Sequence, residues 1–223
     1  MLLHNRIELS STTTDDAGAF VPADSPDVLN DIVDDTIDLA LWHRPVPPEL
    51  DAWIRALPAG QLPVTHEVVA PNEVAARVRA ACREAGHDGD DPVRMLAQDI
   101  AGLAGRFCRV AGLAEVDLRL AAIHHDACKR FHRDRMPLRL IATYRGPGTE
   151  LVPQDHAADA LNRQADYDGP LHVVEHGTVA LFRGSAAGDV GVVHRSPPIT
   201  GMGISRLLLC LSTPFQSIFT GSD

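Results

Sequence analysis

The sequence predicts an α+β fold in which helices in the first half precede an antiparallel β-barrel or sandwich in the second half. Two observations predict it. Apolar residues recur at helical spacing between residues 49 and 110, and short alternating segments punctuated by glycine and proline follow from residue 116. The polar start of the chain, 1–30, is expected to be mobile, because it is rich in Ser, Thr, Asp and Pro. We therefore expect a mainly helical support region at 31–112 and a β-barrel domain at 113–223.

The first half contains a short predicted strand at 37–46, which ends at prolines, and then three predicted helices. A proline opens the first helix, at 49–57, and its apolar residues lie on one face. Asn72 is the predicted N-cap of the second helix, which ends near residue 85. The third helix spans 93–110 and is the longest of the three. We expect these helices to pack on the barrel and shape its mouth.

The second half contains six short predicted strands. They span 116–123, 138–144, 171–174, 179–183, 190–194 and 205–211. A strong turn signal, Arg145-Gly-Pro-Gly148, ends the second of them. Short strands at this spacing are typical of an antiparallel barrel or sandwich.

Composition excludes several function classes. Twenty Lys and Arg against thirty Asp and Glu give a net charge of −10, so binding to nucleic acid is not expected. The chain has no apolar run of about 18 residues, so no membrane-spanning helix is expected. Its start has no signal-peptide pattern, which favours a cytoplasmic protein. None of the four cysteines forms a Cys-x-x-Cys pair, which argues against a zinc ribbon.

A candidate metal site begins with His132 and Asp134, which are two residues apart. On a strand both side chains would point to one face and could supply two ligands of a 2-His-1-carboxylate iron site. The spacing alone is not specific. About 1.5 His-x-acid pairs are expected by chance in this composition, and a second pair, His124-x-Asp126, does occur.

His194 and Arg206 supply the context. His194 ends one predicted strand, and Arg206 lies on the next. In a closed barrel, adjacent strands can bring both side chains into one cavity, where the histidine completes the metal triad and the arginine holds a carboxylate. Arg206 sits in an otherwise apolar run, where an unpaired cation costs several kcal/mol. A structural salt bridge to an inward-facing acid is the alternative role for it.

Three segments of the second half resemble a bacterial family known as domain of unknown function 1826. They are Cys128-Lys-Arg-Phe-His-Arg-Asp134, Thr143-Tyr-Arg-Gly-Pro-Gly-Thr149 and Val193-His-Arg-Ser-Pro197. That family carries no settled activity, so the resemblance implies shared structure and leaves the reaction open.

Residues 115–213 also resemble the Fe(II)/2-oxoglutarate dioxygenase superfamily, in the order of their histidines, acid and arginine. The resemblance implies a C-terminal double-stranded β-helix, a jelly-roll-like barrel, with the N-terminal helices packed on it. It implies that His132, Asp134 and His194 bind Fe(II) and that Arg206 binds the carboxylate of 2-oxoglutarate. The implied activity is a non-haem Fe(II)-dependent dioxygenase, an oxidoreductase that oxidises a small or anionic substrate.

Two further expectations concern the ligands of this site. Thr143 and Tyr144 are candidates for cofactor binding, and because neighbours on a strand alternate, at most one of them can line the pocket. Six cations between residues 129 and 145 are candidates for attracting an anionic small-molecule substrate. They are Lys129, Arg130, Arg133, Arg135, Arg139 and Arg145.

A zinc-binding or zinc-handling protein is the alternative function. Cys128 would share one face with His132 on an unbroken strand, and the two could bind Zn(II) with His194. A thiolate ligand favours zinc over iron, so Cys128→Ala separates the two hypotheses. Cys128 could instead be a nucleophile or a buried thiol, and a barrel without activity could serve as an interaction module.

Overall fold

The computed structural model describes residues 19–89, 91–187 and 191–214. It contains a seven-stranded sheet and a three-stranded sheet. The strands of the larger sheet are β1 (Ala19–Ala23), β2 (Ile37–Trp42), β3 (Thr65–Val69), β4 (Val116–Ile123), β5 (Leu138–Arg145), β8 (Val179–Arg183) and β10 (Arg206–Ser212). Those of the smaller sheet are β6 (Glu150–Leu151), β7 (His172–Val173) and β9 (His194–Arg195).

The larger sheet has the order β1-β2-β8-β5-β10-β4-β3, and the smaller one β7-β6-β9. Strands β1 and β2 are parallel, and the other pairs are antiparallel. The last strand, β10, lies at the centre of the larger sheet, between β5 and β4. The fold is therefore α+β, as predicted.

Three helices cover one face of the larger sheet: α1 (Pro48–Ala56), α2 (Val74–Glu84) and α3 (Asp91–Ala111). Their buried apolar residues share one core with alternate residues of the strands, such as Leu118 and Leu120 of β4 and Leu207 and Leu209 of β10. This core explains why apolar residues recur about every 3.6 positions in the helices and every second position in the strands.

The opposite face of the larger sheet turns towards the smaller sheet. A second apolar cluster fills the space between them, with Ile141 and Phe182 from the larger sheet and Leu151 from the smaller one. A third cluster lies behind the smaller sheet and includes residues of helix α4 (Ala157–Arg163). Alternate residues of each sheet therefore line the space between the two sheets.

Long periodic segments were predictable. Strands β4 and β8 match their predictions residue for residue, and the three predicted helices match α1, α2 and α3 to within two residues at each end. The N-cap of α2 is Glu73 and not Asn72, because the carbonyl of Glu73 already accepts helical hydrogen bonds from the amides of Ala76 and Arg77.

The larger sheet crosses the predicted boundary at residue 112, because β1, β2 and β3 come from the first 70 residues. Two of these, β1 and β3, are the edge strands of the sheet, and neither alternates clearly in sequence. The segment predicted to be mobile, 1–30, lies outside the described residues as far as residue 18. From residue 19 the chain forms β1, and a 3₁₀ helix begins at Pro26. None of the described helices is long and apolar enough to cross a membrane.

Candidate metal centre

A pair of backbone hydrogen bonds brings His132 to His194. Each residue's amide donates to the carbonyl of the other at 3.0 Å, which makes an isolated antiparallel bridge. The imidazole rings lie 4.4 Å apart, centroid to centroid. Apart from this bridge, the segment around His132 is not a strand, contrary to the extended stretch on which the prediction relied. The bridge fixes His132 opposite His194.

Asp134 completes a group of three potential metal ligands. Its Oδ1 lies 3.7 Å from Nε2 of His132, and its Oδ2 lies 3.5 Å from Nε2 of His194. One ligand atom from each residue lies within 4.8 Å of the others. Within the described part of the chain, no other group of three histidines, cysteines or acids comes this close together.

Hydrogen bonds to the backbone orient both imidazoles towards this point. Nδ1 of His132 lies 2.9 Å from the carbonyl oxygen of Arg130, and Nδ1 of His194 lies 3.1 Å from that of Val192. Because a carbonyl can only accept, each Nδ1 carries the proton and each Nε2 keeps a free lone pair in the neutral ring. Burial lowers the pKa of His194 to about 4, so its imidazole is neutral near pH 7.

The carboxylate of Asp134 has one oxygen that the protein does not satisfy. Nη1 of Arg139 lies 3.1 Å from each oxygen but donates a hydrogen bond only to Oδ1. Oδ2 is buried and makes no hydrogen bond. A buried carboxylate oxygen without a donor costs free energy unless a cation binds it. Two imidazole nitrogens and this oxygen form a donor set suited to Fe(II), and also to Zn(II).

Arg206 is completely buried and has only neutral partners. Its Nε donates to the carbonyl of Pro147 at 2.7 Å, Nη1 to Oγ of Ser196 at 2.6 Å, and Nη2 to Oγ1 of Thr149 at 3.3 Å. These bonds use three of its five N–H groups. No ion pair joins Arg206 to a carboxylate of the described residues, so the predicted alternative of a structural salt bridge is not observed there. Burial lowers the pKa of the guanidinium, and the charge of Glu150 acts in the opposite direction.

Ser196 connects this arginine to the metal centre. It lies two residues after His194, a separation of about 6.6 Å along an extended chain. Gly146 makes room on the other side of the arginine. A Cβ on Gly146 would lie 2.6 Å from the carbonyl oxygen of Ser205 and 3.0 Å from Cγ of Arg206. The glycine-rich turn after β5 therefore packs against Arg206.

Thr143 and Tyr144 lie on opposite faces of β5. Thr143 pairs with Leu208, whose side chain belongs to the cluster between the two sheets, and its Oγ1 is buried without a hydrogen-bond partner. Tyr144 belongs to the core under the helices, and its hydroxyl donates to Oδ2 of Asp99 in α3. The structure does not bring Tyr144 to the site, because the alternation of the strand turns it towards the helices.

Cys128 is not part of the group of three ligands. It is an exposed residue with a positive φ of 51°, in an irregular segment that does not place it on one strand face with His132. The other His-x-acid pair is also separate from the group. The carboxylate of Asp126 accepts hydrogen bonds from the amides of Ile199 and Thr200, each at 2.8 Å.

Four of the six cations between residues 129 and 145 have different partners in the described structure. Arg139 faces the metal centre, whereas Arg145 donates to the carbonyls of Ile54 and Leu57 beyond the other face of the sheet. Lys129 pairs with Asp126, and Nε of Arg133 donates to the carbonyl of Gly191. Sequence reasoning missed the contact of Arg139 with Asp134, and no signal in the sequence distinguishes this arginine from the other five.

Residues 23–212 match the model of one protein family, described as protein of unknown function (DUF1826). No curated protein matches the chain.

Several solved structures are similar over most of their length. A dioxygenase for auxin oxidation from rice is 16% identical over 82% of this chain and 76% of its own, with a TM-score of 0.44. A putative oxygenase from Shewanella oneidensis is 12% identical over 86% and 88%, with a TM-score of 0.46. A prolyl-4-hydroxylase from Pseudomonas putida is 19% identical over 76% and 96%, with a TM-score of 0.34. At TM-scores below 0.5, none of these likenesses bears on the activity of this chain.

Proposed function

The chain belongs to the DUF1826 family of proteins of unknown function, and we propose that it is a non-haem Fe(II)-dependent oxygenase that uses 2-oxoglutarate to oxidise a small molecule. The seven-stranded and three-stranded sheets would be the two halves of a double-stranded β-helix. One observation carries the proposal. Two histidines and an aspartate form a group of potential metal ligands, and the buried Arg206 donates to Ser196, two residues after the ligand His194, without a hydrogen bond or ion pair to any described carboxylate.

His132, Asp134 and His194 would hold the iron. Their free Nε2 atoms and the unsatisfied Oδ2 of Asp134 support a divalent cation at this point. Three ligands on one side of the metal leave the other side open to small molecules. Bound iron would supply activation of dioxygen, with 2-oxoglutarate as the co-reductant.

Arg206 would bind the distal carboxylate of 2-oxoglutarate. The three neutral acceptors hold the guanidinium in place and leave two of its N–H groups unused, and these could donate to a carboxylate. Ser196 and Thr149 fix the plane of the guanidinium before the anion arrives. Thr143 would donate its unpaired hydroxyl to the same ligand.

Neighbouring residues would orient the ligands and exclude water from the site. The apolar cluster between the two sheets includes Ile141 and Leu208, and it excludes water from the region beside Arg206. The ring of Phe182 lies 4.9 Å from that of His194 and limits its rotation. Arg139 would orient the carboxylate of Asp134 through its hydrogen bond to Oδ1.

The proposal is tested by turnover of 2-oxoglutarate without a substrate. Protein loaded with Fe(II) should convert 2-oxoglutarate to succinate slowly in the presence of oxygen, because such enzymes consume the cosubstrate when no substrate is bound. The Zn(II)-loaded protein and the His132→Ala variant should produce none. Succinate formation that is equal in the wild-type and His132→Ala proteins would contradict the proposal.

A further inference from the structure

The face of the larger sheet that carries the metal centre changes from apolar to polar across its strands. Two rows of side chains cross it, since residues paired in register share a face. The first row runs Leu41, Ala180, Ile141, Cys210, Arg119, His66, and the second runs Leu39, Phe182, Arg139, Ser212, Asp117, Val68. Both rows are apolar over β2 and β8 and polar over β4, and on β3 the first row ends at His66 and the second at Val68.

Exposure follows the same direction. Ala180 and Phe182 are completely buried, whereas Arg119 and His66 are exposed and Val68 is 50% exposed. The metal centre stands at the border between the two parts, since Phe182 contacts His194 and Arg139 contacts Asp134. The open part of the face therefore begins beside the metal ligands.

Two arginines on this open part have unused hydrogen-bond donors. Arg139 uses Nη1 for Asp134 and Nε for Oγ of Ser212, and its Nη2 makes no bond to the described residues. Arg119 makes no hydrogen bond or ion pair in the described part of the chain. Asp117, the nearest acid in the rows, is already paired with His66 at 3.0 Å. The two guanidiniums are therefore available to a ligand.

Cys210 lies between these arginines. It pairs with Arg119 on β4 and with Ile141 on β5, and Arg139 lies one row further along β5. The residue as a whole is half-buried. Burial raises the pKa of the Cys210 thiol, the charges of Arg139, Arg119 and Arg206 act in the opposite direction, and the charge of Asp134 adds to the rise.

We infer that the substrate of the proposed oxygenase carries a carboxylate or phosphate group, which binds over Cys210 between Arg119 and Nη2 of Arg139. This inference rests on the proposed function for the reaction, and on the two arginines alone for the anion site. The anionic group would anchor the substrate on the open part of the sheet, and the remainder would extend towards the metal. Carboxylate and phosphate share the planar, bidentate recognition that guanidinium provides.

The test uses Cys210 as a reporter. The 223-residue protein is alkylated in parallel with iodoacetate, an anion, and with iodoacetamide, its neutral analogue, and each cysteine is quantified by mass spectrometry. An anion site should raise the iodoacetate-to-iodoacetamide ratio at Cys210 by about two- to fivefold over that in Arg119→Gln. Because both reagents attack the same thiolate, the ratio does not depend on the thiol pKa.

Two controls are needed to interpret the labelling ratio. Arg109→Gln removes an exposed arginine from α3, on the other side of the sheet, and should leave the ratio at Cys210 unchanged. The ratio at exposed Cys128 should not change in Arg119→Gln. A ratio at Cys210 that Arg119→Gln does not lower, or a Cys210 that neither reagent labels, would overturn the inference.

Protection then distinguishes the two kinds of anion. Inorganic phosphate should slow iodoacetamide labelling of Cys210 if the group is a phosphate, and benzoate should do so if it is a carboxylate. Protection by neither, at concentrations where ionic strength is matched with chloride, would also contradict the site. Labelling requires neither metal nor 2-oxoglutarate, so its failure and the failure of the proposed oxygenase reaction are separate outcomes.

Discussion

Two His-x-Asp pairs occur in the chain, and their side chains meet different partners. In one, His132 and Asp134 face His194 across a single antiparallel bridge. In the other, the carboxylate of Asp126 binds two backbone amides of a turn and leaves His124 exposed. The spacing is identical, so the sequence motif alone could not select between them. The third ligand, which is 62 positions further along the chain than His132, makes the difference.

Removing one histidine of the metal centre should abolish tight metal binding. His194→Ala deletes a ligand atom and should weaken Mn(II) or Zn(II) affinity by more than about 100-fold, measured by isothermal titration calorimetry. His124→Ala is the matched control, because it removes the histidine of the other pair, and its affinity should equal that of the wild type. Equal affinity of His194→Ala and His124→Ala would contradict the assigned ligands.

Asp126 should stabilise the turn at Ile199 and Thr200 in a pH-dependent way. The amide donors of Thr200 and Ile199 lower the pKa of Asp126 to about 2, below the ordinary value of 3.8. The stabilisation is therefore complete above about pH 4 and is lost as the pH falls towards 2. Unfolding of the wild type and Asp126→Asn, compared from pH 6 downwards, should show a difference that disappears over this window. A difference that persists unchanged at pH 2 would argue against the assignment.

At the scale of elements, β5 separates two functions on its two faces. Tyr144 faces the helices and bonds to Asp99 in α3, which also forms an ion pair with Arg44. Thr143 faces the space between the sheets with an unpaired hydroxyl. Substitution of Tyr144 should therefore change the stability of the protein, whereas substitution of Thr143 should change ligand binding.

Tyr144→Phe should reduce stability and leave the metal site intact. It removes a buried hydrogen bond to a carboxylate, which costs about 1–3 kcal/mol of unfolding free energy. Urea denaturation measures that loss, and Mn(II) affinity should remain within twofold of the wild type, a bound of about 0.4 kcal/mol. A large loss of metal affinity with unchanged stability would place Tyr144 on the other face.

Thr143→Val should have the opposite effect. The hydroxyl has no partner, so its replacement by a methyl group of similar size should leave stability unchanged or raise it. If the hydroxyl donates to 2-oxoglutarate, its loss should weaken cosubstrate affinity about 3- to 10-fold, measured by titration of the Mn(II)-loaded protein. Unaltered cosubstrate affinity would remove Thr143 from the site.

The elements that sequence reasoning found have a clear hydrophobic pattern. Strand β4 alternates over much of its eight residues, β8 is a continuous apolar run that ends at Arg183, and α3 repeats its apolar residues over several turns. The two-residue strands β6 and β9 have no period to detect, and their pairing depends on tertiary contacts. Sequence reasoning therefore predicted the larger sheet better than the smaller one.

At the scale of the whole molecule, the candidate site depends on register between strands distant in sequence. The structure brings together His132, Asp134 and His194, which were predicted from their order and residue type, and the predicted roles of these three and of Arg206 stay predictions. The partners Arg139, Ser196 and Arg119 were not identifiable, because nothing in a single sequence states that β10 lies between β5 and β4. The candidate ligands can therefore be proposed from short sequence segments, whereas the residues around them can be identified only from the assembled sheet.

The two sheets together determine the position of Arg206. The guanidinium leaves β10 of the larger sheet and reaches Ser196, which directly follows β9 of the smaller sheet. A cation enclosed between two sheets without a carboxylate is costly for the folded protein. An anion that binds beside Arg206 in the functional state would offset this cost.

One pocket should bind a divalent iron and 2-oxoglutarate together, and anaerobic titration of the metal-free protein tests this most directly. Addition of Fe(II) and 2-oxoglutarate should produce a weak visible charge-transfer band that neither produces alone. Arg206→Gln should weaken the apparent affinity for 2-oxoglutarate by more than about tenfold, since it removes a charge-assisted bond. Stoichiometric tight zinc that depends on Cys128, with no such band for iron, would contradict a shared iron and 2-oxoglutarate pocket and favour zinc chemistry instead.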